Sequence, residues 1–332
     1  MVRHLRKEKE SVTVGLSHTL DQAGERHVIH EIVTAAPRAL NGDDAAVLYP
    51  AAPNSRTVAS TDMMVEGRHF RRDWSTAAEV GHKAIVRNFA DIEAMGARPT
   101  AALLAIAAPG DTPVDFVRGI AQGIAERCAV YNAELVGGDL TRSDSLVINV
   151  TAMGSLGGSG APLTLDGARA GQKLVAHGKI GYSGAGLALL QRYGRALPPE
   201  LDELWPLIDA HCAPTLAPGR GVIARATGST AMTDNSDGLV RDVGHLAERS
   251  GVRIDFDRGA IAPDPLVAAA GAVLGIDPWE WVLAGGEDHT LLATTFKAAP
   301  SGFREIGRVM RGTGVTIDGE EPRYSEGWEG FA

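Results

Sequence analysis

The sequence predicts a two-domain α/β (α+β) protein, with strands and long helices in both halves. Three observations carry that reading. The chain has 332 residues, long for one ordinary core and enough for two domains of about 150 each. Short apolar runs alternate with long helical patterns in both halves. Between the halves lies Gly154-Ser155-Leu156-Gly157-Gly158-Ser159-Gly160-Ala161-Pro162, the strongest linker-like stretch of the chain. The expected organisation is a flexible arm over 1–20, a first domain over 21–157 and a second over 158–332.

Taken in order, the elements begin with a helix from Glu25 to Ala36 and two strands, Ala45–Tyr49 and Arg56–Thr61. A long helix spans about Thr76 to Met95, where Ile85, Phe89, Ile92 and Gly96 follow helical spacing and form an inward face. Ala101–Ala107 reads as a buried strand, Val114–Tyr131 as a helix, and Glu134–Val136 and Leu146–Met153 as strands. In the second half a strand at Lys173–Ala176 leads through a Gly-rich turn, Gly178 to Gly186, into a helix ending at Tyr193. Strands near Leu291 and Val315 close the chain. No repeat of 20–50 residues is visible.

Composition narrows the function classes. A net charge of -9 is a poor match to a duplex-binding surface, so no nucleic-acid partner is expected. Cys128 and Cys212 stand far apart without C-x-x-C spacing, which argues against a zinc site or disulfide framework and suits a reducing cytoplasm. No apolar run reaches the roughly 18 residues of a membrane span. Met1 to Glu10 leads into no apolar segment and does not read as a secretory signal.

Five segments concentrate Asp and Gly: Gly42-Asp43-Asp44, Ser60-Thr61-Asp62, Asn88 to Asp91, Gly137-Gly138-Asp139, and Asp234-Asn235-Ser236-Asp237-Gly238. Each alone reads first as a turn. A hairpin around Ala52-Pro53 would set Asp43 against Asp62 and Asp44 against Thr61, and opposed carboxylates call for a cation or a raised pKa. Asp91 sits in an apolar helical setting; it is a ligand, a solvated helix residue, or the partner of Arg87 in an i,i+4 ion pair. Oxygen donors without a Cys or His cluster point to magnesium, and magnesium points to a phosphate substrate. The chain has no G-x-x-x-x-G-K-[ST] element, so phosphates would be held mainly through metals, with Gly-rich backbone as helper.

Taken in order, GDDAAV, STDMMVEGRHF, GHKAIVRNFADIEAMGARP, LVGGDLTR, TDNSDGL and GGEDHTLL resemble the thiamine-monophosphate kinase family, within the superfamily of aminoimidazole ribonucleotide synthetase and selenophosphate synthetase. The resemblance covers about Gly42 to Phe331. It implies the two-domain fold of aminoimidazole ribonucleotide synthetase, an N-terminal ATP- and Mg-binding domain whose sheet pairs in a homodimer, and a C-terminal domain that completes the site. It also implies ATP as donor, thiamine monophosphate as acceptor and several Mg²⁺ ions. The implied metal ligands are Asp44, Ser60, Thr61, Asp62, Asp91, Asp139, Asp234 and Asp237. Gly138, Asp139 and Ser236 would lie at ATP, and His69, Glu287 and Trp328 at the thiamine phosphate. Without the motif, His69 reads as a structural histidine and Trp328 as a packing anchor.

The sequence departs from the family pattern at Leu165, where an ATP-associated Arg often stands, with Arg142 or Arg169 as substitutes. It departs again at His289-Thr290 and at Trp328-Glu329-Gly330-Phe331. Rival readings are an aminoimidazole ribonucleotide synthetase-like enzyme and an inactive nucleotide- or thiamine-binding module. Selenophosphate synthetase is disfavoured because no Cys precedes Cys128. The hydrogenase-maturation relative is disfavoured because the chain ends Gly330-Phe331-Ala332. For a phosphate acceptor, already anionic near pH 7, no acid or base is assigned, and the expected chemistry is direct in-line transfer without a phosphoenzyme.

Overall fold

The structure is a computed structural model and describes residues 18–36 and 53–328. The expected arm, the strand at 45–49 and Asp44 fall largely or wholly outside those residues. The chain runs through α1 (Leu20–Ala23), α2 (Glu25–Ala35), β1 (Arg56–Val65), α3 (Ala77–Ala94), β2 (Arg98–Ala108), α4 (Val114–Val130), β3 (Glu134–Arg142) and β4 (Val147–Leu156). It continues with β5 (Lys173–His177), α5 (Tyr182–Tyr193), α6 (Trp205–Cys212), α7 (Arg220–Ala226), β6 (Ser229–Asp234), α8 (Leu239–Ser250) and β7 (Arg253–Phe256). Last come α9 (Pro265–Leu274), α10 (Pro278–Ala284), β8 (Leu291–Thr295), β9 (Arg304–Met310) and β10 (Gly314–Ile317).

Two sheets organise these elements. The first has the order β1-β4-β2-β3, antiparallel except for the parallel pair β2 and β3; the second has the order β10-β7-β9-β5-β8-β6. Both mix parallel and antiparallel neighbours, as a mixed α/β fold requires. Gly154, Ser155 and Leu156 continue β4 rather than starting a linker, because their backbone pairs with Arg56–Val58. The short strand expected at Glu134–Val136 extends to Arg142, so the Gly-Gly-Asp motif is strand and not turn. Gly138 allows that pairing: a Cβ there would stand 1.8 Å from the Leu104 carbonyl oxygen.

Strand periodicity decides what faces inward. On β1, Ser60, Asp62 and Met64 share the face covered by α3, while Thr61 and Met63 share the open face. Met64, Ile148 and Ile106 form one buried cross-strand row beneath α3 and α4. On the open face Met63 is 53% and Leu103 37% exposed. The expected hairpin partner of β1 lies outside the described residues; its described neighbour is β4, and Asp62 stands opposite Val150.

Helix α3 starts at a capping box, in which Thr76 Oγ1 accepts from the Glu79 N–H and Glu79 accepts from the Thr76 N–H. Ile85, Phe89 and Ile92 are fully buried, as their spacing predicts. The opposite side of α3 packs on the second half: Val86, Ala90 and Ala94 join Val175, Met232, Leu291 and Ala293 in one cluster. One helix therefore contributes to two cores and fixes the cleft between the sheets.

Candidate active site

Lys83, Arg87 and Asp91 follow one another at i,i+4 along α3, so they form a single stripe on the helix. Across that stripe lies the loop after α10. The Lys83 ammonium stands 2.5 Å from Glu287 Oε2, and Arg87 Nη1 stands 2.6 Å from Glu287 Oε1. Lys83 is 1% exposed and also donates to the His69 carbonyl at 3.0 Å. Burial would raise the Glu287 carboxyl, but Lys83 and Arg87 hold it well below the usual carboxylate range. Arg87 Nε turns toward Asp62, 3.6 Å from Oδ2. Of the three readings of Asp91, the Arg87–Asp91 ion pair is not formed, because Glu287 and Asp62 take the guanidinium and Ser60 Oγ donates to Asp91.

Asp234 ends β6 and accepts from the His289 Nδ1–H at 3.0 Å. Its loop is tied to the Gly285-to-Thr290 segment: the Glu287 N–H donates to Ser236 O at 2.7 Å and the His289 N–H to Asn235 O at 2.9 Å. Asp242, one turn into α8, accepts from the Asp237 and Gly238 N–H groups. Asn235, fully buried, has neither side-chain amide atom paired, and His289 Nε2 is also unpaired.

These carboxyls crowd one another. Burial, then the Asp234 charge, pushes the Asp91 carboxyl up to about 7, with a smaller push from Asp62. Burial and then Asp234 push Asp242 up to about 8, and Asp237 is raised mainly by burial, with Asp234 adding to it. A cation relieves such crowding. Among the described residues no three His, Cys, Asp or Glu side chains form a closed metal cage. Magnesium does not need one, since it keeps several waters and is commonly held by one or two carboxylates plus substrate phosphates. The all-oxygen donor set of Ser60, Asp62, Asp91, Asp234 and Asp237 fits that ion.

Not every predicted residue joins this group. Thr61 points to the open face, where its hydroxyl meets Thr151 and Asn149. Asp62, Val150, Leu104 and Gly138 lie in one row across the sheet. Gly138 is thus three strand spacings from Asp62, about 14 Å, and Asp139 lies on the open face at the far edge. Within one chain neither is brought to Asp62. Ser236 sits in the Asp234 loop. Arg142 pairs with Asp21, and Arg169 donates to the Asp166 and Ala168 carbonyls, so neither substitute for the missing Arg is directed to the carboxylates. Leu165 packs against the second core.

Beside Glu287 opens a cavity of about 700 Å³. His69, Trp328 and Glu287, the three residues expected at the acceptor, all line it, with Phe70, Trp74 and Trp281 as aromatic walls. His69 and Trp328 meet edge to face at 5.9 Å, and the backbone N–H of Trp328 donates to the Asp237 carbonyl oxygen at 2.9 Å. His69 Nδ1 accepts from the Val65 N–H at 3.0 Å, and burial, then the Arg87 charge, lowers its pKa. Ser183 and His211, which the motifs did not single out, also line the cavity.

Residues 42–156 match the family model for the AIR synthase related protein, N-terminal domain. The thiamine-monophosphate kinase of Corynebacterium glutamicum is 62% identical over 316 residues, covering 94% of this chain and 95% of that protein. The corresponding kinase of Mycobacterium tuberculosis is 44% identical over 322 residues, covering 95% and 94%. Among solved structures, AaThiL complexed with AMPPCP and TMP superposes with a TM-score of 0.75 at 33% identity, covering 97% of this chain and 100% of that one. On this evidence the chain belongs to the thiamine-monophosphate kinase family.

Proposed function

We propose that the chain carries out ATP-dependent phosphorylation of thiamine monophosphate by direct in-line transfer, with Mg²⁺ held by Ser60, Asp62, Asp91, Asp234 and Asp237. Asp44, outside the described residues, is proposed to complete the set on the resemblance of its GDDAAV segment to the family motif. One observation carries the reading: Arg87 and Glu287 join the crowded carboxylates to the aromatic cavity, so one cleft holds a cation site beside a ring site. When bound, the metal offsets repulsion between the two phosphate groups and polarises the transferred one.

The chain's own residues do the positioning. Trp328 and His69 bound the acceptor ring, and the fixed Glu287 carboxylate defines the wall beside them. Arg87 holds Asp62 and Glu287 in a fixed relation. The phosphate monoester loses its second proton near pH 6, so the attacking oxygen needs no base from the protein. Ser236 is proposed at ATP from its place in the Asp234 loop. The open face of the first sheet, with Met63 and Leu103 exposed, is where a second copy would dock in a homodimer. Two buried cysteines outside any disulfide, Cys128 and Cys212, suit a cytoplasmic protein. Among the described residues no helix is long and apolar enough to cross a membrane.

The deciding experiment measures ADP release with Mg²⁺ and ATP, with and without thiamine monophosphate, in wild type and Asp62→Ala. Turnover that requires the acceptor and collapses in the variant supports the proposal. A folded wild type that ignores thiamine monophosphate overturns it, and trapping a covalent phosphoprotein on the path overturns direct transfer.

A further inference from the structure

Strand geometry aims Asp234 at the crowded carboxyls. Met232, two residues before it on β6, and Leu291, its cross-strand partner on β8, pack in one cluster with Val86 and Ala90 of α3. The two-residue period of a strand puts the Asp234 side chain on that same face, toward the helix that carries Arg87 and Asp91. One of its two oxygens is already engaged. His289, a position at which the sequence departs from the family pattern, is 2% exposed, and its Nδ1 stands 3.0 Å from Asp234 Oδ2. The backbone holds the ring there. The His289 N–H donates to Asn235 O, the Asn235 N–H donates to Thr290 O, and His289 itself takes a left-handed φ of 51°. Its Nε2 is buried without a partner, so the bond to Asp234 is the ring's one hydrogen bond among the described residues. That bond fixes the tautomer. With the proton on Nε2, a ring lone pair would face a carboxylate oxygen and a buried N–H would have no acceptor. The proton therefore lies on Nδ1 and is donated to Oδ2. Asp234 Oδ1 has no hydrogen-bond partner among the described residues.

We propose that His289 is a positioning residue that commits Asp234 to coordination through one oxygen, and that the site thereby selects Mg²⁺ over Ca²⁺. The proposal rests on the reading of Asp234 as a magnesium ligand. Mg²⁺ demands near-ideal octahedral geometry and is held by one or two carboxylates, whereas Ca²⁺ accepts six to eight oxygens and takes carboxylates in the two-oxygen mode. A carboxylate with Oδ2 tied to a buried N–H offers the first kind of ligation and withholds the second. Hydrogen bonds behind a ligand set its orientation, and their loss typically costs about 10- to 100-fold in metal affinity. His289 acts through Asp234 and has no assigned contact with either substrate.

The test uses calorimetry of the metal-free protein titrated with the Mg²⁺ or the Ca²⁺ complex of AMPPCP, in wild type, His289→Asn and His289→Leu. Asn keeps an N–H donor near the position of Nδ1 and tolerates left-handed backbone; Leu is of similar size and has no donor. The wild type should bind the Mg²⁺ complex more tightly. His289→Leu should weaken the Mg²⁺ complex by about 10-fold and leave the Ca²⁺ complex as tight or tighter, while His289→Asn keeps the wild-type ratio. A merely structural role would weaken both complexes together, and a folded His289→Leu with an unchanged ratio overturns the proposal. So does a wild type that binds the two complexes alike. Nitrogen NMR of the wild type, with the His289 signals identified by their loss in His289→Asn, should show a neutral ring protonated at Nδ1. Protonation at Nε2 alone overturns the proposal even if His289→Leu does not fold. A wild type that binds neither complex defeats the metal reading itself, an outcome distinct from lost selectivity.

Discussion

The ammonium of Lys83, on a helix of the first sheet, stands 2.5 Å from the carboxylate of Glu287, in the loop that precedes β8 of the second. With Arg87 on the other oxygen, Glu287 is a carboxylate shared by two cations of one helix. Removing one partner of a buried pair is far more disruptive than replacing both. Lys83→Met should lower stability by about 3–5 kcal/mol, measured by urea unfolding. The double variant Lys83→Met, Glu287→Gln should recover part of that loss. Full additivity in this cycle would mean the two groups are not coupled.

Asp91 lies in the fields of Asp234 and Asp62 and is pushed up to about 7. Asp91→Asn keeps an acceptor for Ser60 and removes one of the crowded charges. In magnesium-free buffer at pH 8 the variant should melt higher than wild type. Its kinase activity should fall by about 100-fold or more, and added Mg²⁺ should no longer raise its Tm. A wild-type response to Mg²⁺ would remove Asp91 from the metal set.

Burial pushes the Asp288 carboxyl up to about 7, against the backbone N–H groups of Ser183 and Gly181 that favour the anion. The folded-state value exceeds the unfolded one, near 4. The native state therefore holds the proton longer, and this group's contribution to stability is greatest below about pH 4 and is lost as pH rises to about 7. Asp288→Asn should flatten that part of the stability profile. Comparing urea midpoints of the two proteins at pH 5 and pH 8 reads the difference directly, and equal slopes would contradict the assignment.

Gly186 has no room for a methyl group, with Leu207 O 2.0 Å from the position a Cβ would occupy. Gly186→Ala should separate α5 from α6 and lower stability by about 1–3 kcal/mol. Because α6 carries His211, the KM for the acceptor should rise as well, while the affinity for Mg²⁺ stays unchanged. A variant with unaltered KM would uncouple this helix contact from the cavity.

The elements were legible because their periodicities are strong: the buried face of α3 and the alternation of β4 follow from spacing alone. The motif residues His69, Glu287 and Trp328 were legible as a set, and the cavity holds all three. Three features escaped. A local rule suggested Arg87 with Asp91, but a residue 200 positions away competes better for the guanidinium. The run Ser60-Thr61-Asp62 was read as one group, although a strand sends its middle residue to the opposite face. Ser183 and His211 carry no motif of their own; the only sequence signal was the Gly-rich start of α5, which on its own reads as a turn.

Glu287 and His289 both adopt left-handed backbone, at φ 62° and 51°, on either side of Asp288. This geometry sends three consecutive side chains to three destinations: Lys83 and Arg87 on α3, the first turn of α5, and Asp234 at the end of β6. Such backbone is uncommon for residues with a Cβ and persists only where its surroundings enforce it. A torsional change at one of these residues therefore reorients contacts at all three. Donor and acceptor sites joined through one such pivot are thermodynamically linked: whatever tightening nucleotide binding produces at the acceptor cavity, the acceptor must return in equal measure to the nucleotide.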